Sequence, residues 1–304
     1  MEPNETISPS AYALLLMKSH TSIPYARETA GLLSAQSVPA PTAAIPLSAD
    51  VDPADYWIRT MHFESRYWSI NQLLADLTAT NILEISSGFS FRGLDLSNKQ
   101  PVFYIDTDLP NIINSKQHFV DALAADSHPI GHYELSPLNA LDPEAFEAVV
   151  NKFPPGPLAI VNEGLLVYLD LTEKAQLCAN IRKALLARVP PAGPSAPPWP
   201  GRPSGSRWIT ADIYIRRKEE SKNDAWRQWS TAHGLEEKKF ASFEEAEKFF
   251  YNAGFIMEKE ATQDYSRLTS FSQFLKATGP QALNELRRRG RPRVHATWRL
   301  APRP

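Results

Sequence analysis

The chain is poor in several residue types that particular kinds of protein need. It has one cysteine, Cys178, among 304 residues, which excludes a disulfide framework and a thiolate metal cluster built by one chain. It has no run of about 18 apolar residues, so we expect no transmembrane helix. Its 32 Lys and Arg residues are offset by 34 Asp and Glu residues, which gives a net charge of -2. This charge argues against binding to nucleic acid through a generally basic surface.

Glycine is scarce as well, with 13 residues against 26 prolines. Seven of the prolines fall within residues 190–203, which predicts a proline-rich loop insertion over residues 189–206. The first ten residues, MEPNETISPS, are acidic and polar and lack the basic and apolar regions of a signal peptide. Together with the single cysteine, this favours a soluble cytoplasmic protein in a reducing compartment.

Short apolar runs alternate with helical patterns from residue 81 onwards. Strands that alternate with helices predict an α/β domain with a largely parallel sheet, here over residues 81–304. We expect residues 1–80 to form a helical extension, with helices at 10–19 and 56–80. The predicted strands are 81–85, 101–105, 131–135, 158–162, 208–215, 255–260 and 294–300.

The first predicted strand ends in a turn that is suited to ligand binding. Residues 82–92, ILEISSGFSFR, have the order strand, small-residue turn and helix start, and Gly88 lets the backbone approach a ligand closely. Because Gly88 is the only glycine of this stretch, the full G-x-G-x-x-G pattern is absent and a phosphate cradle is poorly supported.

Two further strand ends carry acidic residues. In VFYIDTDLP, Asp106 and Asp108 lie 18 and 20 residues after Gly88, where an acid can accept hydrogen bonds from ribose hydroxyls; capping of the next helix is the alternative. In IVNEGLLVYL, the carboxylate of Glu163 can pair with an ammonium group or lie near a sulfonium cation. Tyr168 adds an aromatic face and a hydroxyl, and a packing role in the core is its alternative.

In this order, the three stretches resemble those of the leucine carboxyl methyltransferase and tetracenomycin-type polyketide O-methyltransferase family. Residues 82–92 are similar to the family's vveLGAGLDTR and retain Glu84, Gly88 and Arg92. IDTDLP at 105–110 is similar to fEvDlP, and EGLLVYL at 163–169 is similar to EGlLmYL. The resemblance runs from about residue 8 to about residue 175 and returns in the last helix and strand pair.

The resemblance implies a class I methyltransferase that binds S-adenosylmethionine. It implies a Rossmann-like sheet of seven strands, mostly parallel with an antiparallel last strand, with helices on both faces and an N-terminal helical lid. By position, Lys18 and Arg66 would hold the methionine carboxylate, Gly88 and Glu163 would lie near the methionine part, and Asn139 would lie by the adenine. Strand-end spacing favours Asp106 for the ribose, whereas the resemblance favours Asp108. The implied cofactor-binding residues are Lys18, Arg66, Glu84, Gly88, Asp106, Asp108, Asn139 and Glu163.

The sequence therefore predicts an S-adenosylmethionine-dependent O-methyltransferase that acts on a hydroxyl or carboxyl of a small-molecule acceptor. A protein C-terminal carboxyl methyltransferase is one alternative. A non-catalytic binding protein is another, suggested by Ser86, Ser90 and Asn139, which replace a glycine and two aspartates of the family pattern. Tyr168 is the candidate acceptor contact, and Trp226 and Trp229 could line the acceptor pocket.

The histidines and the C-terminal arginines are given no role in the predicted reaction. None of the seven histidines stands out as a catalytic base, and no metal ligand is predicted. The arginines at 287–303 could form a basic patch, but a solvated chain end is the preferred interpretation. We therefore expect neither nucleic acid nor membrane as a partner, and the sequence leaves the oligomeric state open.

Overall fold

The structure, a computed structural model, describes residues 7–35, 53–125, 128–188, 205–216, 234–281, 284 and 293–303. Trp226, Trp229, the arginines at 287–291 and most of the predicted proline-rich insertion lie outside these ranges. Within them, none of the helices combines the length and the apolar character of a membrane span. The same residues contain no group of three or more His, Cys, Asp or Glu side chains arranged to hold a metal ion.

Helices and strands alternate along most of the described chain. The helices are α1 (Ile7–Lys18), α2 (Ala26–Ala35), α3 (Pro53–Ala75), α4 (Arg92–Lys99), α5 (Pro110–Leu123), α6 (Pro143–Val150), α7 (Leu171–Ala187), α8 (Phe243–Asn252) and α9 (Thr269–Thr278). The strands are β1 (Asn81–Ile85), β2 (Phe103–Asp108), β3 (His132–Pro137), β4 (Leu158–Asn162), β5 (Arg207–Tyr214), β6 (Phe255–Glu260) and β7 (His295–Pro302).

The strands form one sheet in the order β3-β2-β1-β4-β5-β7-β6. β1 lies between β2 and β4 and pairs in parallel with both, so that Asn81 is opposite Phe103 on one side and Leu158 on the other. β7 is antiparallel to β5 and to β6. This order confirms the expected fold class, a mostly parallel seven-stranded sheet whose last strand is antiparallel. The carboxyl ends of β1 to β4 consequently meet at one edge.

The central strands are buried on both faces, which explains their almost wholly apolar sequences. Successive side chains of a strand point to opposite faces. In β1, Leu83 therefore packs in the cluster that contains Ile181 of α7, whereas Ile82 packs in the cluster that contains Ile70 and Leu73 of α3.

Element boundaries agree with the sequence predictions where an apolar run ends in small or polar residues. β1 and β4 have the predicted bounds, whereas β2 continues beyond the predicted 101–105 to Asp108. From the sequence we expect a helix over residues 172–188 that is capped by Thr172, and this cap assignment is wrong. Asp170 caps this helix, because its side chain accepts the Glu173 N–H at 2.8 Å while the Glu173 carboxylate accepts the Asp170 N–H at 2.7 Å.

The N-terminal helices cover the turn after β1. The ring of Tyr12 in α1 lies 4.7 Å from that of Phe89, measured between ring centres. Behind them, the buried carboxylate of Glu64 in α3 accepts the N–H groups of Thr269 (3.1 Å) and Ser270 (2.9 Å) at the start of α9 and the hydroxyl of Ser22 (3.1 Å). A side chain of α3 thus caps α9 and holds the segment after α1 in place. The division of the chain at residue 80 stays a prediction.

Candidate functional site

Glu163 lies at the centre of a cluster of buried charges. It directly follows β4, and three cations from three different helices surround its carboxylate. Lys18 Nζ lies 2.7 Å away, Arg92 Nη2 lies 3.3 Å away and Arg66 Nη2 lies 3.9 Å away. The side chain of Glu163 is only 6% exposed, so these charges interact with little screening by water.

The cations fix the charge of Glu163. Burial alone would raise its pKa, but Lys18, Arg66 and Arg92 together lower the pKa to about 2. The carboxylate is therefore ionised over the whole physiological range. Arg66 also pairs with Asp212 and Arg92 with Glu84, so the three cations of the cluster are matched by three carboxylates.

Asp212 of β5 organises the loop that carries Glu163. This buried carboxylate accepts the backbone N–H groups of Gly164 (2.6 Å) and Leu165 (2.7 Å) and the side-chain amide of Asn162 (2.6 Å). Asp212 is not among the site residues predicted from the sequence. The only sign of it in the sequence is that, after Arg207, the strand RWITADIY contains one charged residue, the acid Asp212.

Arg66 is oriented by two residues of β5. Its Nη2 donates to Asp212 Oδ1 at 3.3 Å, and its Nη1 donates to the hydroxyl of Tyr214 at 2.9 Å. Its Nε is buried and has no hydrogen-bond partner among the described residues. Burial opposes the charge of Arg66, but Tyr214, Glu163 and Asp212 raise its pKa above the ordinary value. Arg66 is therefore a fixed cation with one donor unused by the described protein.

Arg92 connects the cluster to Tyr67 of α3 and Glu84 of β1. The ring of Tyr67 lies 4.1 Å from its guanidinium carbon, and the carbonyl of Tyr67 accepts from Nη1 at 2.9 Å. Its Nε lies 3.4 Å from Glu84, which also accepts the hydroxyl of Tyr104 at 2.5 Å. Glu84, a predicted cofactor residue, is thus linked to Glu163 through Arg92.

The turn after β1 has the backbone conformation that glycine favours, although it contains serine. Ser86 has a φ of 52° and Gly88 a φ of 50°, both in the left-handed region. The N–H of Ser87 donates to the Thr107 carbonyl at 2.8 Å, and its hydroxyl accepts from Lys116 Nζ at 2.9 Å. Ser86 therefore adopts a left-handed conformation that an L residue rarely takes, and neighbouring bonds hold the turn in place.

The two candidate ribose acids have different surroundings. Asp106 is fully buried, and its Oδ2 accepts from Lys116 at 2.7 Å and from the Tyr133 hydroxyl at 2.6 Å. Burial raises the pKa of Asp106 to about 6 despite the opposing effect of Lys116. Asp108 lies nearer the surface, and its oxygens accept the N–H groups of Gly88 and Leu109, each at 2.7 Å. Asp108 is the acid next to the glycine turn, whereas Asp106 is paired inside the protein.

The remaining predicted residues lie at the same sheet edge. Asn139 is exposed two residues after β3, and its Oδ1 accepts the Leu141 N–H at 3.1 Å. Tyr168 lies in a short 3-10 helix, Leu166–Tyr168, and is half-buried. The structure thus brings Lys18, Arg66 and Glu163 into direct contact and joins Gly88 to Asp108.

A histidine also lies beside the cluster. His62 Nε2 is 2.7 Å from the hydroxyl of Tyr214, one helical turn before Arg66. The neighbouring His295 is buried and shares a hydrogen bond with the carbonyl of Ala211 at 2.8 Å. Burial lowers the pKa of His295 to about 3, so it is neutral at pH 7. Its Nε2 accordingly carries the proton that this carbonyl accepts.

Comparison with known proteins gives matches in fold only. No family model and no curated protein matches the chain. Among solved structures, magnesium protoporphyrin IX methyltransferase from Synechocystis with bound SAM is 9% identical, with a TM-score of 0.45 over 86% of this chain and 88% of that chain. OxaC in complex with SAH and oxaline is 12% identical, with a TM-score of 0.46 over 82% of this chain and 52% of that chain.

LepI in complex with SAM is 15% identical, with a TM-score of 0.45 over 76% of this chain and 46% of that chain. The chain therefore spans less than half the length of LepI. Similarities this low assign neither a family nor an activity to the chain, and the fold stands on the chain's own sheet order.

Proposed function

We propose that the chain is an S-adenosylmethionine-dependent methyltransferase that methylates an oxygen of a small-molecule acceptor. The observation that carries the proposal is the buried cluster of Glu163 with Lys18, Arg66 and Arg92 at the carboxyl edge of the sheet. Ligands of open α/β sheets bind at this edge. The cluster lies beside the Gly88 turn and Asp108, which extends the candidate site from β4 to β2.

The cluster matches the chemistry of an amino-acid head group. Such a group carries an ammonium, which a carboxylate binds, and a carboxylate, which Lys and Arg bind. Glu163 supplies the first partner, and Lys18 and Arg66 supply the second. The unused Nε of Arg66 adds a donor. Because the head group has no net charge, its entry between Lys18 and Glu163 leaves the charge of the site unchanged.

The nucleoside part has partners along the same edge. Asp108 would hold the ribose, because each carboxylate oxygen can accept a second hydrogen bond beside the one it takes from Gly88 or Leu109. Gly88 would face the ligand, since among the described residues other than its chain neighbours the atom nearest to a Cβ added there is Ala11 Cβ, at 4.0 Å. Asn139 would contact the adenine.

The cofactor supplies an activated methyl group, so the protein has mainly to align the acceptor and exclude water. A carboxylate acceptor needs no base, whereas a hydroxyl acceptor must lose a proton. Tyr168 is the candidate acceptor contact, because it lies five residues after Glu163 on the same loop.

A degenerate cofactor site is the non-catalytic alternative. It depended on Ser86, Ser90 and Asn139, but Ser86 keeps the left-handed backbone of a glycine. Methylation of a protein C-terminus remains the second enzymatic candidate, because a carboxylate acceptor fits the same cofactor site.

Binding and transfer can be tested separately. Calorimetry should detect S-adenosylmethionine and S-adenosylhomocysteine binding below millimolar concentration, and binding of neither would reject the proposal. Transfer of a labelled methyl group to hydroxylated compounds, carboxylic acids and peptides with a free C-terminus identifies the acceptor class. Base-labile label indicates a carboxyl ester, and base-stable label indicates an ether. Binding without transfer to any acceptor would favour a non-catalytic protein.

A further inference from the structure

We propose that Asp212 is a positioning residue that holds Glu163 and Arg66 in the geometry needed for the amino-acid head group of the cofactor. The inference rests on the proposed function and adds a residue that neither strand-end spacing nor the family resemblance assigns to the site. Asp212 lies within β5 and would act through its neighbours rather than by touching the ligand.

Asp212 accepts hydrogen bonds from both sides of Glu163 in the sequence. Before Glu163, Asn162 Nδ2 donates to Oδ2 at 2.6 Å. After it, the Gly164 N–H donates to Oδ1 at 2.6 Å, and the Leu165 N–H donates to Oδ2 at 2.7 Å. Two of these bonds hold the backbone directly after Glu163 and the third holds the side chain directly before it, so together they fix where its carboxylate points.

The same carboxylate sets the orientation of Arg66. Oδ1 of Asp212 accepts from Arg66 Nη2 at 3.3 Å, while Tyr214, two residues along the same strand, accepts from Nη1 at 2.9 Å. Both outer nitrogens are therefore held by β5, and Nε stays unpaired among the described residues. A Cβ added to Gly164 would lie 3.2 Å from Arg66 Nη2, so loop and guanidinium are in close contact.

Only a carboxylate satisfies this arrangement. All the surrounding groups donate, and Asp212 is 1% exposed, so water cannot replace a lost acceptor. An asparagine would offer one acceptor oxygen and would direct its own N–H groups at other donors. Asn162 cannot turn to compensate freely, because its Oδ1 accepts Trp208 Nε1 at 2.7 Å.

The test compares two ligands that differ in the head group. S-adenosylhomocysteine carries the amino-acid part, and methylthioadenosine lacks it. Calorimetry on the full chain with Asp212→Asn should show a loss of S-adenosylhomocysteine affinity of about tenfold to a hundredfold, the effect of misplacing charge-assisted hydrogen bonds. The Kd for methylthioadenosine should stay within about twofold of wild type, because this ligand has no head group that Glu163 and Arg66 could misplace.

A matched control separates positioning from stability. Asn81→Ala removes a buried side chain that donates to the Pro154 carbonyl at the opposite edge of the sheet, so it should lower the Tm and leave both Kd values unchanged. If Asp212→Asn does not fold, Asp212→Glu keeps the charge but moves the carboxylate relative to Arg66 and the Gly164 N–H, and it should give the same selective loss.

The outcomes distinguish the two proposals. If the wild-type protein binds neither ligand, the proposed function is wrong and this inference is wrong with it. If the wild type prefers S-adenosylhomocysteine and the variants keep that preference, the role of Asp212 alone is contradicted. A parallel loss of both ligands in the variants would show that Asp212 is merely structural.

Discussion

The ammonium of Lys18 donates to Glu163 at 2.7 Å, although 145 residues separate them in the sequence. The bond fastens the end of α1 to the loop after β4 and completes the cationic surroundings of Glu163. The same helix packs Tyr12 against Phe89 in the turn after β1. Helix α1 therefore contacts both halves of the candidate site, Glu163 through Lys18 and the turn after β1 through Tyr12.

Replacing Lys18 by methionine should weaken binding of S-adenosylmethionine by about tenfold or more, because the head-group carboxylate loses one of its two direct cations. Calorimetry measures the change. Lys99→Met is the matched control, since Lys99 is 63% exposed and pairs with Asp95 one turn earlier in α4. Equal affinities for the Lys18 variant and this control would contradict the assignment of Lys18.

Glu163→Gln should lower stability in a pH-dependent way. The pKa of Glu163 is about 2 in the folded protein, against an ordinary value of 4.5, so its contribution is present above pH 4.5 and is lost as the pH falls through 2. A shift of this size corresponds to about 3 kcal/mol. Urea unfolding at several pH values measures it. A gap between wild type and variant that widens on acidification would contradict the account.

Disturbing Asp106 should lower folding stability, whereas changing Asp108 should lower ligand affinity. Lys116→Met leaves buried Asp106 without its cation and should cost about 3 to 5 kcal/mol of folding free energy. Asp108→Asn should instead weaken binding of both S-adenosylhomocysteine and methylthioadenosine, because both contain the ribose. Thermal unfolding and calorimetry on both variants provide the comparison. Unchanged nucleoside affinity in Asp108→Asn would mean that Asp108 does not hold the ribose.

Ser86→Gly should stabilise the protein by up to about 1 kcal/mol, because glycine takes a positive φ without the steric cost that serine meets. The larger freedom of glycine in the unfolded chain opposes this gain. Chemical denaturation measures the net effect, and Ser115→Gly at a half-buried position inside α5 should destabilise instead. A marked loss of stability in Ser86→Gly would show that the serine side chain supports the turn.

Strands could be predicted from the sequence where a short segment contains all the information, such as one apolar run and the residues that end it. Asn81–Ile85 and Leu158–Asn162 were predicted with the observed bounds, because uninterrupted apolar runs end there in polar or small residues. The position of Glu163 after a strand followed from the same pattern. The prediction for β2 stopped at Ile105 because two acids follow. The strand continues because Lys116 neutralises Asp106 inside the protein.

The partners of the site depend on contacts between distant parts of the chain. Asp212 bonds to the N–H of Gly164, 48 residues earlier, and Arg66 reaches Asp212 across 146 residues. The local pattern of RWITADIY does not show whether Asp212 binds the loop after β4 or is merely a charged residue within a strand. The family resemblance alone favours Asp108 for the ribose, and the further reason for this proposal, the pairing of Asp106 with Lys116, depends on a contact that the sequence does not show.

A crystal structure with S-adenosylhomocysteine bound tests the central claim most directly. The account predicts that the ligand carboxylate contacts Lys18 and Arg66, that its ammonium contacts Glu163 and that its ribose hydroxyls contact Asp108. A ligand bound elsewhere, or bound with its head group away from Glu163 while the Lys18–Glu163 bond stays closed, would contradict it.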